Sequence, residues 1–475
     1  MYRRNITHIL IPLALGLTLV ISYHLFMKPA QTGPSQQATQ SSGSVVTVAP
    51  PPVPPQREPR EEEVRSPRAL DHSIIPDTEH DKLLESIRDE IEKHNLSLAE
   101  TKLKELPPSI LSNGKIKPFV AILWNNLGLM QERLSGTQAS LKAFKRATDF
   151  DDSNPIILMN LAQAYWEQRD HALDMAFLTK LIRLAPEEPF PHLAMADLLQ
   201  EQDHQSEAAK HLAQATKLAK KEPGLQSYLA TVTAKVKRTE SVESRMSKRS
   251  SPHFVVKFDG GEDQTTWNVV LEILEEAYRE IGQKFGHFPS NPIIVVLHAK
   301  DSFQGATESP AWADGLYDPT LGRIQIPTQG ATTDTKWLGH VLRHEYIHAL
   351  LHDRLGRGVG ALPTWLNEGL AMQLSGDTWS SLNQIVPGDH EVIPLTSLHG
   401  SWSALPAGSA SMAYREANSA THYLIERWSM ARVNDLLDAF KTNASVETAL
   451  QNTLSISYEQ FHQQWLEHFS QHRSS

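Results

Sequence analysis

The sequence predicts a mainly α-helical protein that carries a small α+β part towards its C-terminus. Three features of the chain support this fold class: a long apolar run at the N-terminus, a hydrophobic pattern that repeats in the middle, and short strand-like runs between helical patterns near the end. We therefore expect a membrane helix at 1–28, a linker at 29–70, a helical repeat array at 71–237, a polar link at 238–251 and an α+β domain at 252–470.

The N-terminal segment predicts a membrane-spanning helix. Residues 6–27 are mostly apolar, and as a helix they would be about 33 Å long, enough to cross a hydrocarbon layer of about 30 Å. Arg3 and Arg4 precede the run and no acidic residue occurs before Glu58, so the N-terminus is expected to stay in the cytoplasm. Because Lys28 does not suit a signal-peptide cleavage site, an uncleaved anchor is favoured over a cleaved secretory signal. Either outcome exports the rest of the chain.

Composition excludes several classes of protein. The formal net charge of −10 has the wrong sign for a protein whose main partner is nucleic acid. The chain has no cysteine, which excludes disulfides, thiolate metal sites and cysteine nucleophiles, whereas its 22 histidines leave metal binding open.

Residues 29–70 are rich in Gln, Ser, Thr and Pro and predict an extended, disordered spacer. This spacer is either a tether that holds the folded part off the membrane or a plain connection.

The middle of the chain repeats with a period of 34 residues. Apolar residues that precede a small residue, and large apolar residues further along each unit, both recur at this interval: Leu127, Leu161 and Met195, and Phe144, Leu178 and Leu212. The pattern resembles the tetratricopeptide repeat, with Asp174 as a departure where a small residue is expected. The resemblance implies stacked helix pairs with a concave surface for a partner or peptide. A spacer or dimerisation arm is the alternative.

The best-defined chemical motif is His344-Glu345-x-x-His348 on a predicted helix over 337–351. On such a helix the two imidazoles lie one turn apart on the same face, so both can reach one divalent ion. Glu345 lies about 100° around the helix from His344, close to the ion but free to take a proton. Glu368, 20 residues after His348, is the candidate third ligand.

Two more histidines extend the same helical stripe. His340 and His352 stand one turn before and one turn after the pair, but a helix about 18 Å long cannot place four imidazoles on one ion. We interpret both as neighbouring or solvent-facing groups, with an accessory metal site as the alternative.

The motif, taken with the stretch WLNEGLA at 365–371, resembles the gluzincin branch of the peptidase MA superfamily and, within it, small bacterial domains. The likeness covers about 252–468. It implies one Zn²⁺ per chain and a set of site residues with these roles: His344, His348 and Glu368 as ligands, Glu345 as general base and Tyr414 as a candidate oxyanion donor. A core aromatic is the alternative for Tyr414. Some relatives carry an acid where this chain has Met372, so the group that orients a ligand histidine is left undetermined.

These features together predict an exported zinc metallopeptidase. It would be tethered to a bacterial inner membrane with its catalytic domain in the periplasm or outside the cell, and the repeat array would recruit a protein substrate or partner. Endopeptidase activity is favoured over exopeptidase activity, and the strand at 323–327 is expected to lie at a sheet edge and pair with an extended substrate. The alternative is an envelope scaffold whose zinc site is structural or inactive.

Overall fold

The computed structural model describes residues 18–21, 70–71, 81–220, 223–258, 264–309, 313–327, 335–375, 392–402, 405, 407–441 and 444–473. These residues form a mainly helical protein with one sheet, as the sequence predicts. The predicted linker, apart from Leu70, lies outside the described residues.

A short strand, β1 (Thr18–Ile21), stands where the sequence predicts the interior of a membrane helix. It pairs antiparallel with β5 (Ala313–Asp318), with Thr18 opposite Tyr317. Three of these four residues are β-branched, which suits a strand, and an open sheet edge offers unpaired backbone groups, so strand pairing replaces helix here. The rest of the predicted helix lies outside the described residues. Within the described part of the chain, no helix combines the length and apolarity that crossing a bilayer requires.

Helices α1 to α10 form the first part of the described structure. Their bounds are Asp81–Glu92, Leu96–Lys104, Pro108–Leu111, Lys117–Ser135, Thr137–Phe150, Pro155–Gln168, Met175–Leu184, Pro189–Glu201, Gln205–Leu218 and Pro223–Glu243. Local sequence explains several of their starts. Asn154 caps α6 by accepting hydrogen bonds from two backbone amides, and Asp174, the departure from the repeat pattern, caps α7 by accepting one from the Phe177 amide.

The positions that recur every 34 residues lie inside this array. Phe144, Leu178 and Leu212, on α5, α7 and α9, are all fully buried. Helices α4 and α5 pack closely at one of these positions, because a Cβ atom on Gly128 of α4 would lie only 2.6 Å from the Phe144 ring of α5. Small residues at the repeated positions therefore let facing side chains pack directly on the helix backbone.

Residues 238–251, predicted to be a polar link, are instead ordered secondary structure. Helix α10 continues to Glu243, and β2 (Ser247–Ser250) then pairs antiparallel with β3 (Phe254–Phe258). The reason lies in tertiary contacts: the Glu243 carboxylate accepts hydrogen bonds from Arg323 and from Lys257 of β3, which ties the end of the helix to the sheet.

The second part of the structure packs helices against the sheet. The remaining elements are α11 (Gln264–Phe285), β4 (Ile293–His298), α12 (Lys300–Thr307), β6 (Arg323–Pro327), α13 (Thr335–Leu355), α14 (Thr364–Leu374), α15 (Ala407–Phe440), α16 (Val446–Leu454) and α17 (Tyr458–Arg473). The sheet order is β1-β5-β6-β4-β3-β2, with β3, β4 and β6 parallel.

The prediction that 323–327 is an edge strand is wrong. Strand β6 is parallel to β4 on one side and antiparallel to β5 on the other, and all five of its residues are buried. Its backbone groups are already paired, so it cannot receive an extended peptide. Strand β5 lies between β6 and β1, and β1 forms the edge of the sheet on that side.

Helix α14 lies unusually close to α15 at Gly369. A Cβ atom added to Gly369 would lie 2.5 Å from the Ala417 carbonyl oxygen and closer still to the Thr421 hydroxyl. The glycine in the WLNEGLA stretch is therefore required for helix packing, and this packing sets the position of the neighbouring Glu368.

We predict that Gly369→Ala destabilises the protein by about 1–3 kcal/mol, because the methyl group overpacks a fixed backbone contact. Urea unfolding followed by circular dichroism measures the change. The matched control is Gly305→Ala in α12, where nothing lies within 4 Å of the new methyl group and a gain of about 0.5–1 kcal/mol is expected. Equal stability changes in the two variants would contradict the close packing of α14 on α15.

Candidate metal centre

Two adjacent helices bring the predicted ligands together. His344 and His348 lie on α13, and Glu368 lies on α14. The Oε2 atom of Glu368 is 3.3 Å from His344 Nε2 and 3.6 Å from His348 Nε2. One ligand atom from each residue lies within 4.8 Å of the others, and all three side chains are at least 98% buried. The structure therefore places the three residues where they could hold one metal ion.

Packing around α13 fixes the direction in which its histidines point. Apolar residues of the helix, including Leu342 and Ile347, are fully buried in the core of the α+β part. Near its C-terminal end, the Arg354 guanidinium donates hydrogen bonds to the Phe285 carbonyl of α11 and to Asn434 of α15. These contacts leave the helix little freedom to rotate, so its polar face stays turned towards α14.

Burial sets the charge distribution of the cluster. It lowers the pKa of His344 to about 4, so this imidazole is neutral at physiological pH, as a metal ligand must be. Burial opposes the ionised forms of His348 and Glu368 as well, but their mutual attraction outweighs it: the pKa of His348 is raised and that of Glu368 is lowered. Without a metal, these two groups form a buried ion pair.

Asn367 orients one of the two imidazoles. Its side-chain oxygen lies 3.1 Å from His348 Nδ1, a distance at which the ring nitrogen donates a hydrogen bond and leaves Nε2 facing Glu368. The amide thus supplies the orienting group that the sequence left undetermined. The sequence did not single out this amide, because an asparagine next to a ligand has no characteristic spacing.

Glu345 lies beside the cluster without pairing to it. The side chain is fully buried, and among the described residues neither carboxylate oxygen has a hydrogen-bond partner. Burial is the main reason that its pKa rises to about 8. Strand β5 makes room for it at Gly315, where a Cβ atom would lie 3.3 Å from Glu345 Cγ and Oε1. A buried carboxyl group with no partner is costly to keep, and a nearby cation would lower its pKa and ionise it.

Tyr414 lies on α15 and is buried next to the same cluster. Its ring packs edge-on against Trp402, with the ring centroids 4.9 Å apart. Burial raises its pKa well above the ordinary value, and the negative charges of Glu368 and Glu345 add to this effect. The hydroxyl group therefore keeps its proton and can act as a hydrogen-bond donor towards the site.

The outer histidines of the stripe do not join the cluster. His352 Nδ1 lies 2.8 Å from the Tyr317 hydroxyl of β5, which ties α13 to the sheet. The His340 ring packs against the His344 ring at a centroid distance of 6.0 Å. Among the described residues, the group that could hold a metal contains His344, His348 and Glu368 and neither of these two histidines.

The donor set fits a zinc ion. Two imidazole nitrogens and one carboxylate oxygen are the ligands found in catalytic zinc sites, which leave a fourth position for water or substrate. The buried Nε2 atom of His348 has no hydrogen-bond partner among the described residues, and it faces the Glu368 carboxylate. An unsatisfied nitrogen beside a buried carboxylate is the arrangement expected when a cation is to be bound between them.

Comparison with known proteins bears on the second part of the chain. A search of curated proteins returns no significant match to this sequence. Residues 275–471, however, match the family model described as the Peptidase MA superfamily. The matched range begins within α11 and contains β5, α13, α14 and α15, and therefore every residue of the cluster described above. This match supports a peptidase domain of the MA type over residues 275–471.

Proposed function

We propose that this protein is a zinc-dependent metallopeptidase that hydrolyses peptide bonds in protein or peptide substrates. The observation that carries the proposal is the buried His344–His348–Glu368 cluster with the unpaired carboxyl group of Glu345 beside it. The family match over residues 275–471 supports the same reaction class. A zinc ion in this cluster would activate water and polarise the scissile carbonyl as a Lewis acid.

Glu345 would act as the general base. Its carboxylate would take a proton from the attacking water and later return it to the leaving amine. The side chain suits this exchange because it is buried near the ligands while binding none of the described residues. Burial alone favours the protonated form of Glu345. Positive charge in the cluster would lower its pKa, so that the side chain would become a carboxylate.

Tyr414 would stabilise the tetrahedral oxyanion. Its high pKa keeps the hydroxyl group protonated throughout the reaction, so the group can donate a hydrogen bond as negative charge develops on the substrate oxygen. Its contact with Trp402 limits the directions in which the ring can point.

Strand β5 would bind the substrate backbone. Its outer side, which approaches Glu345 at Gly315, pairs with the edge strand β1 in antiparallel register, with Leu19 opposite Leu316. An extended peptide would use the same backbone groups. This assignment replaces β6, whose two edges are both paired within the sheet.

For the location, we propose an anchor in a bacterial inner membrane with the catalytic part exported. The support is the apolar run at 6–27 and the two arginines before it. Insertion of this run as a helix requires Thr18–Ile21 to leave β5, which would also free that edge for a substrate. The helical array would serve as a recruiting surface only where its faces are not already packed against the rest of the chain.

An inactive or purely structural zinc site is the less favoured function. Structural zinc sites are closed by four protein ligands, whereas the candidate group in the described part of the chain has three members. A structural site would also have no use for a buried carboxyl group placed beside the ligands.

We predict that Glu345→Gln abolishes hydrolysis while zinc binding is retained. General acid–base catalysis contributes about 10²–10⁴-fold in rate, so cleavage of an unfolded protein should fall by at least about 10²-fold. Quenched-fluorescence peptides with blocked termini measure the rate and separate endopeptidase from exopeptidase activity. The control is Glu276→Gln, which changes a half-exposed glutamate paired with Arg343 and should leave the rate unchanged. Full activity in Glu345→Gln would refute its role as base.

We predict one zinc ion per chain and an affinity that rises with pH. The pKa of His348 is raised by Glu368, so below that pKa a proton must leave the imidazole before metal can bind, and the apparent Kd should fall as pH increases from 5.5 to 8. Competition titration with a chromophoric chelator measures this affinity. His348→Gln should lose tight binding, and His340→Gln should keep it. A pH-independent affinity, or loss of binding in His340→Gln, would contradict the ligand assignment.

We predict that Tyr414→Phe lowers kcat by about 10²–10³-fold with zinc content unchanged. The variant removes only the hydroxyl group, so packing against Trp402 is retained. Steady-state kinetics on a blocked peptide measure the effect. Tyr423→Phe is the matched control, because this tyrosine lies on the same helix and contacts Gln464. Similar kcat values for both variants would assign Tyr414 to the core instead.

A further inference from the structure

We propose that the helical array is an intramolecular clamp on the β5–β6 hairpin, and that this clamp positions the strand that faces Glu345. The array would then govern activity by holding the catalytic part in shape, in addition to any partner it binds. The consequence for activity depends on the proposed peptidase function, whereas the clamp itself can be measured without it.

The turn between β5 and β6 is packed into the array. Residues 319–322 form this turn, and Leu321 is 3% exposed and belongs to the same buried apolar cluster as Leu199 of α8 and Val232 of α10. Four residues of the turn line one side of a small cavity, and residues of the array line another: Arg169, Asp197, Gln200, Glu201 and Tyr228. The α6–α8–α10 face of the array thus receives the turn.

Ion pairs hold both strands of the hairpin to α10. Lys235 Nζ lies 2.7 Å from Asp318 Oδ2 at the end of β5, and Asp318 is only 4% exposed. Arg323 at the start of β6 is fully buried, and its Nη1 atom lies 2.7 and 2.6 Å from the two oxygens of Glu243. Because buried charges are costly unless they are paired, each of these contacts strongly disfavours separation of the hairpin from the array.

The end of α6 completes the same contact surface. Arg169 lies just after the helix in a left-handed conformation, with φ 51°, and its guanidinium lies 2.6 Å from the Glu201 carboxylate. Glu201 also lies next to the β5–β6 turn, because a Cβ atom on Gly322 would be 3.7 Å from Glu201 Cγ. The hairpin therefore contacts α8 and α10 directly, and Arg169 at the end of α6 supports the contact with α8 through its ion pair with Glu201.

Strand β5 connects this clamp to the catalytic base. Gly315 lies three residues before Asp318, about 10 Å along the strand, and a Cβ atom on it would lie 3.3 Å from Glu345 Oε1. Midway between them, the Tyr317 hydroxyl contacts His352 of α13. A displacement of about 1 Å in such a strand would move both the base and the backbone groups proposed to bind substrate.

The test removes the ion pair at the end of β5 without leaving a lone buried charge. In the full chain, Lys235→Met with Asp318→Asn should accelerate hydrogen exchange of amides at 313–318, raise KM and lower kcat/KM for a blocked peptide by about 10- to 10²-fold, and leave zinc affinity unchanged. If the ion pair only stabilised the fold, the double variant would instead lower the free energy of unfolding and the zinc affinity together.

The matched control removes an ion pair that lies within the array and away from the hairpin. Lys180→Met with Asp152→Asn breaks a pair of the same length, 2.7 Å, and should change neither exchange nor kinetics. Should the first variant fail to fold, Leu321→Ala, which keeps the ion pair, takes its place. Unchanged exchange at 313–318 in a folded variant overturns the clamp. If the parent protein binds zinc but cleaves no peptide, the proposed function fails and the exchange measurement still decides the clamp.

Discussion

The candidate site depends above all on the burial of three polar side chains that would otherwise be hydrated. His344, His348 and Glu368 are buried in the apolar core that α13, α14 and α15 help to form. An unpaired charge is strongly disfavoured in such an environment. Their mutual attraction offsets part of this cost, and a divalent ion would offset more of it. The close contact at Gly369 matters for the same reason, since it lets α14 approach α15 closely and so sets where the Glu368 carboxylate stands relative to the two imidazoles.

A second set of buried charges joins the two parts of the chain. Glu243 of the array, Arg323 of β6 and Lys257 of β3 satisfy one another in a region that is almost free of solvent. Such networks contribute little net stability compared with apolar packing, but they strongly penalise any arrangement in which one member is left alone. The helical array is therefore held to the α+β part by buried contacts, and under the proposed function strand β5 would connect the array to Glu345.

The local patterns of the sequence transferred well to the structure. The 34-residue period predicted helices, and its repeated positions are buried. The i, i+4 histidine spacing predicted a shared site, and the two imidazoles face one carboxylate. Asn367, which contacts the imidazole of His348, was missed because an amide beside a ligand carries no pattern of its own. The errors concerned pairing partners. Strand β6 was expected at an edge and is interior, the segment at 238–251 was expected to be a link and is part of α10 and β2, and Thr18–Ile21 pairs with β5 where a helix was expected.

By itself, the sequence determined the helical character of the chain, the identity of the candidate ligands and the presence of a glutamate next to them, because helix periodicity and i, i+4 geometry act over a few residues. Only the tertiary structure decided the order of the strands in the sheet, which amide orients His348 and which face of the array is covered by the β5–β6 hairpin. These features depend on contacts between residues that are distant in the chain, such as Lys235 with Asp318 and Glu243 with Arg323, and no local pattern encodes them.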